Sequence, residues 1–189
     1  MKILFLPILL SIAFQSISQI TREDSLHYFE HLKADSLMRL DVRGKTLQAF
    51  IAKDNKKNLF TNDNLCSKVT FINFWFDACA PCVAEFRALE KFYNKNRYRK
   101  DFQFISITYE ADSVIKRVKG KNALTYPMYH LSYDSCRSVL LKLGYPANLI
   151  TDKTGKIVYS VTGGPTDPET ADKDLNYFIQ AELDKQLKN

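Results

Sequence analysis

Val69-Thr70-Phe71-Ile72-Asn73-Phe74-Trp75-Phe76, followed after two residues by Cys79-Ala80-Pro81-Cys82, is the stretch that decides the fold of this 189-residue chain. The first part is nearly continuous in β-branched and aromatic residues, the pattern of a strand buried on both faces. Beyond it, Val83, Phe86, Leu89, Phe92 and Tyr93 recur at helical spacing, which predicts a helix over about Pro81 to Asn96. The cysteines therefore fall at a strand-to-helix turn. A helix N-terminus carries unpaired N–H groups and roughly half a positive charge, and both favour thiolate over thiol. An unperturbed cysteine, with a pKa of about 8.5, is only about 3% thiolate at pH 7. Lowering that value to about 7 makes it about half thiolate, and the thiolate is the attacking species in disulfide exchange. Cys82 can reach back to the Cys79 sulfur, and Pro81 suits a first helical turn because its missing N–H is not needed there. Cys79 is thus expected to be the nucleophile and Cys82 the resolving thiol of a redox-active disulfide.

Working outward, Leu47–Ala52 and Asn58–Thr61 read as a small hairpin ahead of the central strand. After the first helix, Phe102–Thr108 reads as a second buried strand and Ser113–Lys119 as a helix ended by Gly120. Tyr126–Leu131 should be extended, and Asp134–Leu143 helical, closed by Gly144. Ala147–Thr151 and Lys156–Val161 form a hairpin across Asp152–Gly155, and Asp172–Leu187 is a terminal helix. This order predicts an α/β fold: a central mixed β-sheet flanked by helices on both faces.

At the N-terminus, Lys2, the apolar run Ile3–Phe14 and the small residues Ser16 and Ser18 read as a signal peptide, 1–18, cut before Gln19. The run is shorter than the roughly 20 residues a membrane span needs, so no stable membrane insertion is expected after cleavage. Residues 19–43 read as an N-terminal helical extension, with Leu26, Phe29, Leu32, Leu37 and Leu40 as its apolar positions. The main domain is 44–189. Export to the periplasm, or otherwise outside the cytoplasm, places four cysteines where disulfides persist. The formal net charge of +6 is spread among interleaved acids, with no basic stripe or motif of a nucleic-acid binder.

Other uses of a Cys-x-x-Cys pair fit less well. A closed zinc site needs two further ligands, but Cys66 and Cys136 are single and far apart, and His27, His31 and His130 show no paired spacing. Haem attachment needs histidine after the second cysteine, where Val83 stands. No metal and no cofactor is expected. A non-enzymatic copper-holding module remains an alternative, although no Met or His adjoins the pair. A thiol peroxidase is another, but the Pro and Thr which that family carries seven and three residues before its cysteine are here Ile72 and Phe76.

The sequence resembles the thioredoxin superfamily, and specifically its exported TlpA/ResA-like branch. The likeness rests on Phe71-Ile72-Asn73-Phe74-Trp75, the Cys-Ala-Pro-Cys motif, Ala84-Glu85-Phe86, Leu89-Glu90-Lys91-Phe92-Tyr93, and Gly144-Tyr145-Pro146-Ala147-Asn148-Leu149-Ile150 with Asp152-Lys153-Thr154-Gly155-Lys156-Ile157. It implies a thioredoxin-like fold and a protein disulfide oxidoreductase that more often reduces its clients. Those clients would be protein thiols and disulfides, and the electrons would come from a membrane-bound donor. It implies that Pro146 is the family's cis-proline and that Tyr145 and Pro146 meet substrate. Asn73 stands where cytoplasmic thioredoxins carry a buried acid. Glu110 is set against an acidic residue kept near the thiols, as a proton relay for Cys82. Cys66 and Cys136 are expected at the end of the sheet away from the active site, either bonded to each other or as two buried free thiols. The chain departs from the pattern at Ala78, where Trp is usual, at Arg87 and at Ala147. Asp77 adds a negative charge that opposes thiolate formation at Cys79.

Overall fold

The computed structural model describes residues 42–141 and 143–188. The expected signal peptide, 1–18, and residues 19–41 of the expected N-terminal helical extension lie outside the described residues. In chain order the elements are β1 (Ile51–Lys53), β2 (Leu59–Thr61), a short 3-10 turn (Asn62–Leu65), β3 (Val69–Trp75), α1 (Ala80–Asn96), β4 (Phe102–Thr108) and α2 (Asp112–Asn122). There follow β5 (Met128–His130), α3 (Tyr133–Val139), β6 (Ala147–Thr151) and β7 (Ile157–Thr162). The terminal helical segment is α4 (Pro168–Asp174), a π turn (Leu175–Ile179) and α5 (Gln180–Gln186).

The strands form one mixed sheet in the order β2-β1-β5-β4-β3-β6-β7. β3, β4 and β5 run parallel, whereas β6 is antiparallel to β3, and β7 to β6. This is the expected thioredoxin-like α/β arrangement. β3 lies well inside the sheet with all seven residues buried, which is why its sequence lacks alternation. On one face Val69, Phe71 and Trp75 pack against Phe86, Leu89 and Phe92 of α1; α2 and the terminal helices extend this layer through Ile115, Val118, Leu175 and Leu183. On the other face Ile72 and Phe74 meet Cys136 and Val139 of α3 and the segment carrying Leu47 and Phe50.

Three helix ends differ from the sequence reading. α2 runs through Gly120 to Asn122 and is closed by Ala123 in the left-handed region at φ 52°, its N–H donating to the Gly120 and Lys119 carbonyls. α3 ends at Val139 rather than Leu143, with Leu141 at φ 54°. Gly144 serves a close approach instead, since a Cβ there would sit 3.2 Å from Thr162 Oγ1. The terminal helix starts earlier, at Pro168, because the Asp167 carboxylate accepts the Thr170 N–H at 2.8 Å and caps it.

Candidate active site

The turn leaving β3 delivers the two cysteines. Cys79 N–H donates to Phe76 O at 3.2 Å, and Cys79 is the N-cap of α1. Its Sγ accepts the Cys82 N–H at 3.2 Å, so one orphan donor of the first helical turn points at this sulfur. The pair is joined as a disulfide, S–S 2.01 Å, with Cα atoms 5.2 Å apart. Cys79 keeps 5% exposure and Cys82 none. A client sulfur coming from solvent therefore meets Cys79 first.

The register Phe74↔Ala147 brings the start of β6 beside the end of β3. Tyr145–Pro146, joined by a cis peptide bond, therefore lies next to the redox turn. The Tyr145 ring meets Phe76 edge-on at 5.2 Å, Phe76 stacks on Tyr109 at 5.9 Å, and Tyr109 meets Tyr133 at 5.1 Å. These rings form an aromatic wall beside the turn. Val83, directly after Cys82, is exposed.

Behind the pair lies a buried acid. Glu85 is three residues beyond Cys82 on α1 and is buried, 6% exposed. Its Oε1 accepts Asn73 Nδ2–H at 2.8 Å, and its Oε2 accepts Asn148 Nδ2–H at 2.9 Å. Asn73 also donates to Asn148 Oδ1 and accepts from the Ser106 hydroxyl, both at 2.9 Å. Ser106, Asn73 and Asn148 are direct cross-strand partners on β4, β3 and β6, so the sheet register itself builds this polar ladder. Burial pushes the Glu85 carboxyl up to about 8, against the pull of the Asn148 and Asn73 amides.

Glu110, expected as a relay, is engaged elsewhere. Its Oε1 accepts the backbone N–H of Asp77 at 2.9 Å, its own N–H donates to Thr108 Oγ1, and its carbonyl bonds His130 Nδ1. It braces the loop before Cys79, while the buried acid on the helix of the pair is Glu85. The sequence did hold a signal for this. Asn73, Glu85 and Asn148 are polar interruptions in segments that are otherwise apolar and buried, and Glu85 is one helical turn from Cys82. The Asp77 charge is also compensated, since its Oδ2 lies 2.7 Å from Arg117 Nη2.

Cys66 and Cys136 are not bonded to each other. Both are free, Cys66 exposed and Cys136 buried. Cys66 sits ahead of β3, at a bridge with Thr154. Cys136 is not at the far end of the sheet as expected. β5 runs parallel to β3, so the chain leaves β5 at the same end as the redox turn, and α3 places Cys136 against the Tyr145 hydroxyl. Burial pushes the Cys136 thiol up to about 12. Among the described residues, no three His, Cys, Asp or Glu side chains are grouped to hold a metal ion, and no helix is long and apolar enough to cross a membrane.

A thioredoxin-like sheet with a bonded Cys-x-x-Cys pair at a strand-to-helix turn defines a protein thiol–disulfide oxidoreductase. The Redoxin family matches residues 43–176, and the chain belongs to that family. Among curated proteins it is similar to "Thiol-disulfide oxidoreductase ResA" of Bacillus thuringiensis (strain Al Hakam), 26% identical over 127 residues, covering 65% of this chain and 71% of that one. A candidate protein disulfide isomerase from Bacteroides thetaiotaomicron has a similar structure, with TM-score 0.66 and 21% identity over 80% of this chain and 93% of that one. So does the thioredoxin domain of a thiol-disulfide oxidoreductase from Bacteroides vulgatus, with TM-score 0.57 and 24% identity over 69% and 96%.

Proposed function

We propose that the chain is an extracytoplasmic protein disulfide reductase working through Cys79-Ala80-Pro81-Cys82. The observation that carries this reading is the asymmetry of the pair: Cys79 is at the protein edge on a helix N-terminus, and Cys82 is fully buried on the helix that carries Glu85. The Cys79 thiolate attacks a client disulfide, forming a mixed disulfide and releasing the client's first sulfur as thiolate. Cys82 then attacks the Cys79 sulfur. Its proton passes to the Glu85 carboxylate, and the client's second sulfur leaves. Two electrons move to the client and the Cys79–Cys82 disulfide remains. A carboxyl held at about 8 is about one-tenth ionised at pH 7, so resolution through it should speed up as pH rises toward 8. Tyr145, Pro146 and the aromatic wall receive the client segment. A membrane-bound donor of electrons resets the pair.

The location rests on the leader-like residues 1–18, with 44–189 as the working domain. The resemblance of the sequence to the ResA-like branch supports the reducing direction. A thiol peroxidase is disfavoured by Ile72 and Phe76, and copper holding would appear as metal uptake by the reduced protein. Cys79→Ser should abolish disulfide reduction in an insulin assay, and Cys82→Ser should accumulate mixed disulfides with clients. Undiminished activity in Cys79→Ser sinks the assignment.

A further inference from the structure

Asp77, two residues before the nucleophile, is gripped at two points. Its backbone N–H donates to Glu110 Oε1 at 2.9 Å, and its Oδ2 pairs with Arg117 Nη2 at 2.7 Å. Glu110 is fixed in turn by Thr108 Oγ1 and His130 Nδ1. Two separate elements, the β4–α2 loop and α2 itself, therefore hold one residue of the redox turn. The charges on the turn are unequal. Asp77 and Glu110 are carboxylates, and both oppose a thiolate at Cys79. Arg117 is the cation paired with Asp77, and the His130 ring meets the Glu110 carbonyl.

We propose that Arg117 is a positioning residue for the redox pair: by pairing with Asp77 it offsets the negative charge two residues before Cys79 and preserves the thiolate that the helix N-terminus favours. This rests on the reading of Cys79 as nucleophile. The pair is partly exposed, with side chains 56% and 37% accessible, so solvent weakens the effect. One uncompensated, partly screened charge beside the turn is expected to change the reaction rate of Cys79 at pH 7 about threefold.

The test uses reduced full-length protein carrying Cys82→Ser. Alkylation by neutral iodoacetamide at pH 7 and low salt is followed peptide by peptide, with exposed Cys66 as internal reference. Arg117→Gln should slow Cys79 about threefold, Asp77→Asn should speed it by a similar factor, and the double variant should return close to the starting rate. The pH–rate profile should move along the pH axis, with its plateau changing less than the rate at pH 7 and in the opposite sense, and molar salt should shrink both single effects. A purely mechanical clamp predicts loss in both single variants and no recovery in the double. Same-direction changes, a plateau lowered in Arg117→Gln, or no change in either single variant overturns the proposal. If Cys79 reacts no faster than Cys66 before any charge is altered, the nucleophile reading is what has failed.

Discussion

Replacing Glu85 with glutamine keeps the shape of the side chain and removes its proton. Glu85 is buried, and burial raises its carboxyl from 4.5 to about 8. The difference is about 3.5 pH units, which at about 1.4 kcal/mol per unit amounts to about 5 kcal/mol of coupling between protonation and folding. The folded value lies above the unfolded one. Between pH 4.5 and about 8 the folded chain therefore keeps a proton that the unfolded chain has lost, and stability falls as pH rises through that window. Glutamine removes this slope. It also turns one amide N–H₂ toward an asparagine N–H₂, where a carboxyl oxygen had accepted, at a cost of about 1–2 kcal/mol. Glu85→Gln should thus be less stable than the unaltered protein at pH 5, equal near pH 6, and more stable by roughly 3 kcal/mol at pH 8. Urea unfolding of the oxidised protein at unit steps of pH measures this without interference from the redox thiols. Parallel stability curves for the two proteins would refute the reasoning, because Glu85 would then titrate at its ordinary value.

The other expectations are simpler. In the folded, oxidised protein a thiol reagent should label Cys66 and leave Cys136 untouched until denaturant is added, and failure to label either would mean that the two are bonded. Phe71→Ala should cost about 3–5 kcal/mol in urea unfolding, since its ring packs at 4.9 Å from Phe92 and 5.0 Å from Phe104; a loss under about 1 kcal/mol would contradict that packing. Asn148→Leu removes the donor to Glu85 Oε2 and should push the carboxyl above its present value. The pH dependence of mixed-disulfide resolution should then move to higher pH, and an unmoved profile would separate Glu85 from that step.

The fold was legible because its strands and helices announce themselves locally. β3 is an unbroken apolar run, α1 shows a clear stripe, and the pair sits where one gives way to the other. What stayed hidden depends on register, which no single segment carries. Ser106, Asn73 and Asn148 become neighbours only once β4, β3 and β6 are aligned, so the partners that hold Glu85 cannot be named from any one segment, although its place one turn beyond Cys82 can. The place of Cys136 is hidden for a related reason: which end of the sheet α3 occupies follows from the direction of β5. Residue type alone predicts helix stops at Gly120 and Gly144, whereas Ala123 supplies the left-handed cap and Gly144 meets a close contact.

The ladder and the asymmetry of the cysteines bear on the same problem. Reducing a disulfide delivers electrons to two sulfurs, and each then needs a proton or a stabilised negative charge. Cys79 has the helix N-terminus and a remnant of solvent contact. Cys82 has no solvent contact, because it is buried completely. A fully buried sulfur that must gain and lose a proton needs an internal partner, and an apolar core would leave it stranded. The proposed partner, Glu85, is on the same helix, and its oxygens are satisfied by two amides that bond each other and the Ser106 hydroxyl. Within this ladder the cost of burial falls on one carboxyl. That cost is what raises its proton affinity toward neutral pH. The same burial that weakens the fold above pH 4.5 brings the acid within reach of the exchange proposed for Cys82.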